Sequence, residues 1–298
     1  MSTQRELAVT YDVSNDFFRL WLDERMIYSC ALFDDDTTSL EEAQLNKLRW
    51  FHDMTRLEPP KRVIDIGCGW GGNLEFLSRE MGILDVTGIT LSRRQYQHAQ
   101  QMASPGVHVY CESYLSHKPE RPYDAAISIG MFEHLATPEQ ARNGQSLDIY
   151  RRYFQLVWQW TRPGARFGLQ SVISTRLPRS SKGIEELAWA TRRIFPGAVS
   201  PRLESIVTAL SPWWELVELH TRREHYERTS AEWLRRLKRH RSVICERWGE
   251  DLFVTYERYL STCVEMFASG YQSLAQMVLV RTDHAPNEIR NETEPANV

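Results

Sequence analysis

The chain has 298 residues and a formal net charge of −3, with 42% hydrophobic and 25% charged residues. It can bury a full core as one large α/β domain or two small domains. The slight negative charge argues against a nucleic-acid partner held by bulk electrostatics, and the lack of any run of about 18 apolar residues predicts no stable membrane insertion. Five scattered cysteines without a C-x-x-C pair predict reduced thiols in the cytoplasm and no metal site.

Strand-like and helix-like segments alternate along the chain. Residues 39–57 have helical spacing after Ser39, a residue type that caps helices. Strands are predicted within "PPKRVIDIG" and at 84–91, 106–111, 123–130, 165–173, 212–221 and 273–282. Helices are predicted at 72–82, 92–103, 138–161 and 230–268, the last with a basic run interpreted as a solvated face. This alternation predicts βαβ units and a parallel sheet covered on both faces.

The segment "VIDIGCGWGGN" (63–73) predicts a strand, a glycine loop and the start of a helix. Such a loop lets a ligand approach the backbone closely at the N-terminus of the helix. Read literally, Gly67-x-Gly69-x-x-Gly72 matches the dinucleotide fingerprint of dehydrogenases. An NAD site would want Asp or Glu after the second strand, where this chain has Thr90. With Asp65 before the loop, the pattern D-x-G-x-G-x-G favours S-adenosylmethionine (SAM) over NAD and over an ordinary glycine-rich turn.

A carboxylate and an imidazole stand side by side in "IGMFEHL" (129–135), directly after a predicted strand. Adjacent residues point in different directions on a helix or strand, so the two do not act as a pair. We expect Glu133 to face the substrate and His134 to point away and pack structurally. The alternative for Glu133 is a solvated carboxylate at a helix start.

Several segments together resemble the cyclopropane-fatty-acid synthase family, which includes the mycolic acid cyclopropane synthases. They are, in order, "YDVSNDFFRLWLDERMIYSCALF", "SLEEAQLNKL", "VIDIGCGWGG", "GITLSRRQ", "SIGMFEHL", "RRIFPGAVSP", "HYERTSAEW" and "YERYLSTCVEMFASGY". The resemblance covers about residues 10–282. It implies a Rossmann-like class I SAM-methyltransferase fold, with seven mostly parallel strands and helical lid insertions.

The resemblance also implies the residues that bind SAM. Tyr28 and Ser29 close over it, and the loop after the first strand holds its amino-acid end through Asp65, Gly67, Cys68, Gly69 and Gly71. Thr90, Leu91 and Gln95 meet the ribose and adenine. Glu112 and Ser113 flank the adenine.

In this family a substrate alkene attacks the SAM methyl group, and the resulting carbocation loses a proton to a bound bicarbonate. By resemblance the bicarbonate site maps onto Cys30, Glu133, Tyr226 and Gln170. The family has histidine at the last position, and glutamine cannot carry a charge or shuttle a proton. Either Gln170 holds the anion as a neutral donor, or the base is another group and the product differs. Trp189, Phe195, Trp213, Trp214 and Tyr226 are candidates for stabilising a cation.

We interpret residues 1–298 as one domain. Its predicted parts are a cap segment (1–38), a SAM-binding core (39–173), an acceptor-pocket insertion (174–211), the last two strands (212–283) with a helical lid (227–270), and a disordered tail (284–298). The expected function is methyl transfer to carbon of a lipid-like or isoprenoid-like acceptor. The alternatives are N- or O-methylation of a small molecule and a catalytically silent SAM-binding module.

Overall fold

Seven strands form one mixed sheet in a computed structural model of the chain, which describes residues 1–4, 6, 13–59, 61–178 and 180–282. The strand order is β3-β2-β1-β4-β5-β7-β6. Strands β1 to β5 run parallel, and β7 is antiparallel to both β5 and β6. The strands are β1 (Arg62–Ile66), β2 (Asp85–Thr90), β3 (Val107–Cys111), β4 (Tyr123–Ile129), β5 (Thr161–Ser174), β6 (Trp214–Thr221) and β7 (Gln272–Arg281). The predicted, mostly parallel α/β sheet is confirmed.

The helices of the described residues connect these strands and cover both faces of the sheet. They are α1 (Asn15–Arg19), α2 (Leu40–Thr55), α3 (Gly72–Glu75), α4 (Arg93–Met102), α5 (Pro138–Arg142), α6 (Ser146–Trp160), α7 (Ser181–Arg193), α8 (Leu203–Leu210), α9 (Arg223–Arg239), α10 (Arg241–Trp248) and α11 (Glu250–Ala268). A π-helical turn (Phe76–Glu80) continues α3, and a 3₁₀ turn (Phe132–His134) follows β4. Ser39 caps α2 as predicted, because its side chain accepts a hydrogen bond from the Glu42 amide.

The core consists of a layer on each face of the sheet and a third cluster above its edge. Helix α6 and the strands enclose one layer, and α2, α3 and the strands enclose the other. Gly168 of β5 lets Phe51 of α2 approach closely, since a Cβ there would lie 2.6 Å from the Phe51 ring. The third cluster is aromatic and joins the segment around α1 to helices α9 and α11.

Two predicted helices are interrupted. The stretch predicted as 138–161 breaks between α5 and α6, where Gly144 adopts a positive φ of 73°. The stretch predicted as 230–268 contains three helices that begin at Arg223, with a break at Gly249, whose φ is 91°. Only glycine adopts these angles without strain, so the breaks at Gly144 and Gly249 are specified locally, whereas the break between α9 and α10 falls at His240 with an ordinary φ of −99°. The predicted tail lies outside the described residues.

The basic run of α9 and α10 is paired within the chain. Arg236 forms a bidentate pair with Glu41 at 2.7 and 2.8 Å, and Arg235 pairs with Glu232 at 2.7 Å. Lys238 pairs with Glu257, and Arg241 with Glu250. These pairs leave little uncompensated positive charge on this face.

Gly88 of β2 gives a test of how closely the sheet packs under the glycine loop. A Cβ at Gly88 would lie 2.5 Å from Leu74 Cδ1 and 2.9 Å from Cys68 Sγ. We expect Gly88→Ala to lower the free energy of unfolding by about 1–3 kcal/mol, measured by urea denaturation. The control is Leu84→Ala, whose side chain is 69% exposed, and we expect a change within about 0.5 kcal/mol. Equal effects of the two changes would contradict the packing described.

Candidate active site

The carboxyl ends of β1, β2, β3 and β4 meet at a cleft of about 140 Å³, which we call the strand-end cleft. Open α/β sheets bind ligands at this edge. The strand ends contribute Asp65, Ile66, Ile89, Thr90, Leu91, Glu112, Ile129 and Gly130. The opposite wall includes Met26, Ile27, Tyr28, Ser29 and Lys47.

The glycine loop forms the floor of this cleft. The amides of Gly67 and Cys68 donate to the Ile89 carbonyl at 2.9 and 3.0 Å, so the loop is fixed to the end of β2. Gly67 has a φ of 87°, and a Cβ on it would lie 2.7 Å from Met131 Cβ. Gly67, Cys68 and Gly69 line the cleft as predicted. Gly71 is not among the described lining residues, and a Cβ on it would lie 2.9 Å from Ala99 Cβ, so its contact with the ligand stays a prediction.

Asp65 ends β1 with a fully buried carboxylate. Its Oδ2 accepts a hydrogen bond from Asn73 Nδ2 at 3.0 Å. Burial raises the pKa of Asp65 to about 6, and the Asn73 hydrogen bond and the Lys47 charge oppose this shift. The carboxylate therefore stands in the cleft as a negative group suited to a ligand ammonium.

The ends of β2 and β3 supply polar groups farther along the cleft. Thr90 donates to Gln95 Oε1 at 2.9 Å, and both residues line the cleft with Leu91 and Glu112. The role of Ser113 stays a prediction: it is not among the described lining residues, and its hydroxyl donates to the sulfur of Met1. Tyr114, the next residue, lines the cleft instead.

The segment Tyr28–Ser29 lies over the cleft, as the resemblance implied. The Tyr28 hydroxyl donates to the Tyr259 hydroxyl at 3.0 Å, and Lys47 Nζ donates to Ser29 Oγ at 2.7 Å. Lys47 was not predicted from the sequence as a residue of this site. Its signal was a lysine on the apolar face of a helix, among Ala43, Leu48 and Phe51.

His134 does not point away from the site, contrary to the expectation from the sequence. It lines the strand-end cleft and also the neighbouring cavity described below. Its Nδ1 lies 3.2 Å from Ser2 Oγ, and its carbonyl accepts from the Ser2 amide at 2.8 Å. Burial lowers the pKa of His134 to about 4, so the imidazole is neutral at pH 7. Ser2 was also missed in the sequence.

A second cavity, of about 340 Å³, lies beside the first and is called the lid cavity. It falls within the 300–1,000 Å³ of small-molecule sites. Tyr28, Gly130 and His134 line both cavities, so the two are adjacent. The remaining wall comes from β5, α7, α9, α11 and the predicted acceptor segment, including Val172, Leu187, Phe195, Val199, Tyr226, Trp233, Met266 and Phe267.

Glu133 is the carboxyl group among the described residues lining the lid cavity, and its side chain is buried. Oε1 accepts a hydrogen bond from the Val172 amide at 2.5 Å. Oε2 is buried with no hydrogen-bond partner among the described residues. Burial raises the pKa of Glu133 to about 7, and the hydrogen bond from Val172 opposes this shift. The carboxyl can therefore take up or release a proton near neutral pH.

Gln170 and Cys30 do not join Glu133 in the lid cavity. Gln170 Oε1 accepts from Gln276 Nε2 at 2.8 Å, and Gln170 is not among the described residues lining either cavity. Cys30 is fully buried and does not line either described cavity, and burial raises the pKa of its thiol to about 12. The resemblance assigned Cys30 to the anion site through its backbone and neighbourhood, and the roles of Cys30 and Gln170 there stay predictions; Tyr226 lines the lid cavity with Glu133.

The aromatic candidates divide into two sets. Phe195 and Tyr226 line the lid cavity, and Tyr226 stacks on Phe267 with a centroid distance of 4.3 Å. Trp189, Trp213 and Trp214 are not among the described lining residues of this cavity. Trp189 lies under the guanidinium of Arg258, and Trp214 donates to the Phe154 carbonyl.

The residues of the strand-end cleft fit SAM. Asp65 suits the ammonium of its amino-acid end, and Lys47 with Ser29 suits the carboxylate. Thr90, Gln95 and Glu112 offer polar groups to a ribose and an adenine. Among the described residues, no group of three or more His, Cys, Asp or Glu side chains could hold a metal ion. No helix in the described ranges has the length and apolar character needed to cross a membrane.

Comparison with known proteins agrees with this geometry. The family model for mycolic acid cyclopropane synthetase matches residues 1–277. Cyclopropane mycolic acid synthase 2 of Mycobacterium tuberculosis is 30% identical over 285 residues, which are 91% of this chain and 92% of that protein. The resemblance inferred from the sequence is confirmed.

Solved structures show the same architecture. The cyclopropane synthase MmaA2 from Mycobacterium tuberculosis superposes with a TM-score of 0.86 at 27% identity, covering 94% of this chain and 98% of that one. Mycolic acid cyclopropane synthase CmaA1, complexed with SAH and CTAB, gives 0.84 at 26% identity with the same coverage. Coclaurine N-methyltransferase gives 0.75 at 18% identity, covers 92% of this chain and 84% of that one, and shows the fold alone. The class I fold is confirmed, and the chain belongs to the mycolic acid cyclopropane synthetase family of SAM-dependent methyltransferases.

Proposed function

We propose that this protein transfers a methyl group from SAM to a carbon of an unsaturated, lipid-like or isoprenoid-like acceptor held in the lid cavity. The observation that carries the proposal is Glu133, a buried carboxyl with an unpartnered oxygen in a cavity adjoining the strand-end cleft. Methyl transfer to an alkene leaves a cation that must lose a proton, and Glu133 is placed to accept it. Family membership supports the same chemistry.

When bound, SAM supplies an electrophilic methyl group, and the chain's residues orient the acceptor and exclude water. Tyr28, Gly130 and His134 form the common wall through which the two cavities meet. Since His134 is neutral at pH 7, it adds no positive charge that would oppose a developing cation.

Aromatic side chains of the lid cavity stabilise that cation. Tyr28 and Trp233 pack edge to face with centroids 5.2 Å apart, and Phe195 and Tyr226 also line the cavity. An aromatic face contributes on the order of 0.5–2 kcal/mol to a cation above it. Glu133 contributes the one carboxyl group among the described residues of the cavity wall, and its negative charge also stabilises the cation.

Bicarbonate does not fit this cavity. None of the described residues lining it is Lys or Arg, and its histidine is neutral. Gln170, at the position where the family has histidine, bonds to Gln276 instead. An anion beside the Glu133 carboxylate would lack a cationic partner, and such burial is costly.

We therefore assign the base to Glu133 itself. The acceptor's C=C electron pair forms the new carbon–carbon bond to the methyl group as the sulfur–carbon bond breaks, leaving S-adenosylhomocysteine (SAH). Glu133 Oε2 then takes a proton either from a carbon next to the cation or from the transferred methyl group. The electrons of that C–H bond form a new C=C bond, or the third side of a ring when the proton comes from the transferred methyl. The proton later passes to solvent.

The alternative, N- or O-methylation of a small acceptor, uses the same residue. Glu133, with a pKa of about 7, could also accept the proton of an amine or a hydroxyl group.

The product distinguishes these reactions. Incubation with methyl-labelled SAM and candidate unsaturated lipids or prenyl diphosphates is expected to give a product that has gained one CH₂ by mass. Proton NMR is then expected to show the added carbon as a vinyl or allylic methyl group or, where the proton leaves from the transferred methyl, as the CH₂ of a cyclopropane ring. A label recovered on nitrogen or oxygen would favour the alternative and refute carbon methylation.

Glu133→Gln tests the base. The amide keeps the shape and can accept from the Val172 amide, but it cannot take up a proton. We expect turnover to fall by about 10²–10⁴-fold with SAM affinity nearly unchanged, measured by steady-state kinetics and calorimetry. The control is Glu139→Gln, an exposed carboxyl in the next helix, which should leave turnover unchanged. Intact turnover in Glu133→Gln would remove Glu133 from the mechanism.

The burial of Glu133 also predicts a pH-dependent stability difference. Its pKa rises from 4.5 to about 7 on folding, so the folded state binds this proton more tightly. The resulting stability is fully present below about pH 4.5 and is lost as pH rises through about 7. Glu133→Gln has no such loss. We expect the free energy of unfolding of Glu133→Gln, relative to the wild type, to rise by up to about 3 kcal/mol between pH 5 and 8, as measured by thermal unfolding. A constant difference across that range would contradict the burial of an ionisable carboxyl.

A further inference from the structure

A lysine ammonium is buried in the wall of the strand-end cleft. Lys47 of α2 is completely inaccessible as a residue, yet it borders the cleft. Its Nζ donates to Ser29 Oγ at 2.7 Å, and Ser29 borders the same cleft. Burying an ammonium is costly unless it has partners, so its presence in this wall calls for a physical reason.

Helix α2 fixes the segment that contains Ser29 at more than one point. Gln44, one turn before Lys47, donates through Nε2 to the carbonyls of Ile27 and Ser29, at 3.2 and 2.9 Å. The segment is therefore held by its backbone through Gln44. Lys47 adds a contact to the side chain of Ser29, which the backbone contacts do not require.

The charges around Lys47 are also buried. Asp65 lies in the same cleft, and Asp23 lies behind the segment, where it accepts from the Ile27 amide at 2.8 Å. Burial lowers the pKa of Lys47 to about 8, while Asp23, Cys30 and Asp65 oppose this shift. The cleft thus presents a positive group on one wall and a negative group, Asp65, at the end of β1.

We propose that Lys47 is a positioning residue for the carboxylate of the methionine end of SAM, and that it acts through Ser29. A hydroxyl has one donor and two acceptor sites. Because Ser29 Oγ already accepts from an ammonium, its own O–H group is left to donate, and the neighbouring charge strengthens that bond to an anion. Asp65 then faces the ammonium of the same amino-acid group. The inference rests on the proposed use of SAM.

The test compares two ligands that differ only in this end. SAH carries the amino acid, whereas 5′-methylthioadenosine has the same adenosine and sulfur without it. Calorimetry on the wild type, Lys47→Met, Ser29→Ala and the double variant measures both affinities. We expect Lys47→Met to lower the affinity for SAH about tenfold or more and that for 5′-methylthioadenosine by less than about twofold. Because Lys47 acts through Ser29, the double variant should lose little more than the larger single loss.

The matched control is Lys238→Met, an exposed lysine of α9, which should leave both affinities unchanged. An unchanged ratio of SAH to 5′-methylthioadenosine affinity in Lys47→Met would overturn the role of Lys47 alone. Additive losses in the double variant would overturn its action through Ser29. If the wild type bound neither ligand, the proposed use of SAM would itself fail.

A pH series decides the question if Lys47→Met does not fold. Lys47 loses its charge between about pH 7 and about pH 9, while the buried Cys30 thiol stays protonated and Asp65, whose pKa is about 6, is already ionised. The ratio of SAH to 5′-methylthioadenosine affinity should therefore fall more steeply in the wild type than in Ser29→Ala. The amine of SAH titrates equally with both proteins and cancels in the comparison. Parallel falls would overturn the inference.

Discussion

The end of β4 is the constraint on which both cavities depend. At Gly130 the chain adopts a φ of 69°, and the Gly130 amide donates to the Gln170 carbonyl of β5. The 3₁₀ turn that follows places His134 between the cavities and Glu133 in the lid cavity. A side chain is disfavoured at this angle, and a longer turn would separate the carboxyl from the cleft. The distance between methyl donor and base is thus set by a few backbone angles.

Buried ionisable groups are concentrated at the two cavities. Asp65 and Lys47 border the strand-end cleft, and Glu133 borders the lid cavity. Each costs stability in the empty protein, because burial opposes its charged form. Structural roles are served elsewhere by aromatic packing between α1, α9 and α11. A ligand-binding site explains why these three costly groups lie at the cavities, whereas a packing requirement does not.

The sequence predicted the fold well because its signals are local. The glycine loop, the cap at Ser39 and the alternation of strands and helices each depend on a few neighbouring residues. It also predicted that Glu133 would have its partner on the next strand. The partner is indeed on β5, but it is the backbone amide of Val172 and not the side chain of Gln170. A backbone amide leaves no residue-type signal, so only the register of β4 and β5 reveals it.

Other site features depend on tertiary placement. Trp189, Trp213 and Trp214 matched the chemistry of a cation site but pack elsewhere, since aromatic residues serve cores equally well. Ser2 lies far from His134 in the chain, and no local pattern joins them.

We propose that Glu133 is itself the base and that no carbonate takes part. Turnover of the wild type in bicarbonate-depleted buffer, compared with the same buffer after bicarbonate is added back, tests it most directly. With Glu133 as the base, we expect equal rates and the same product in both buffers. A rate that depends on added bicarbonate would contradict it.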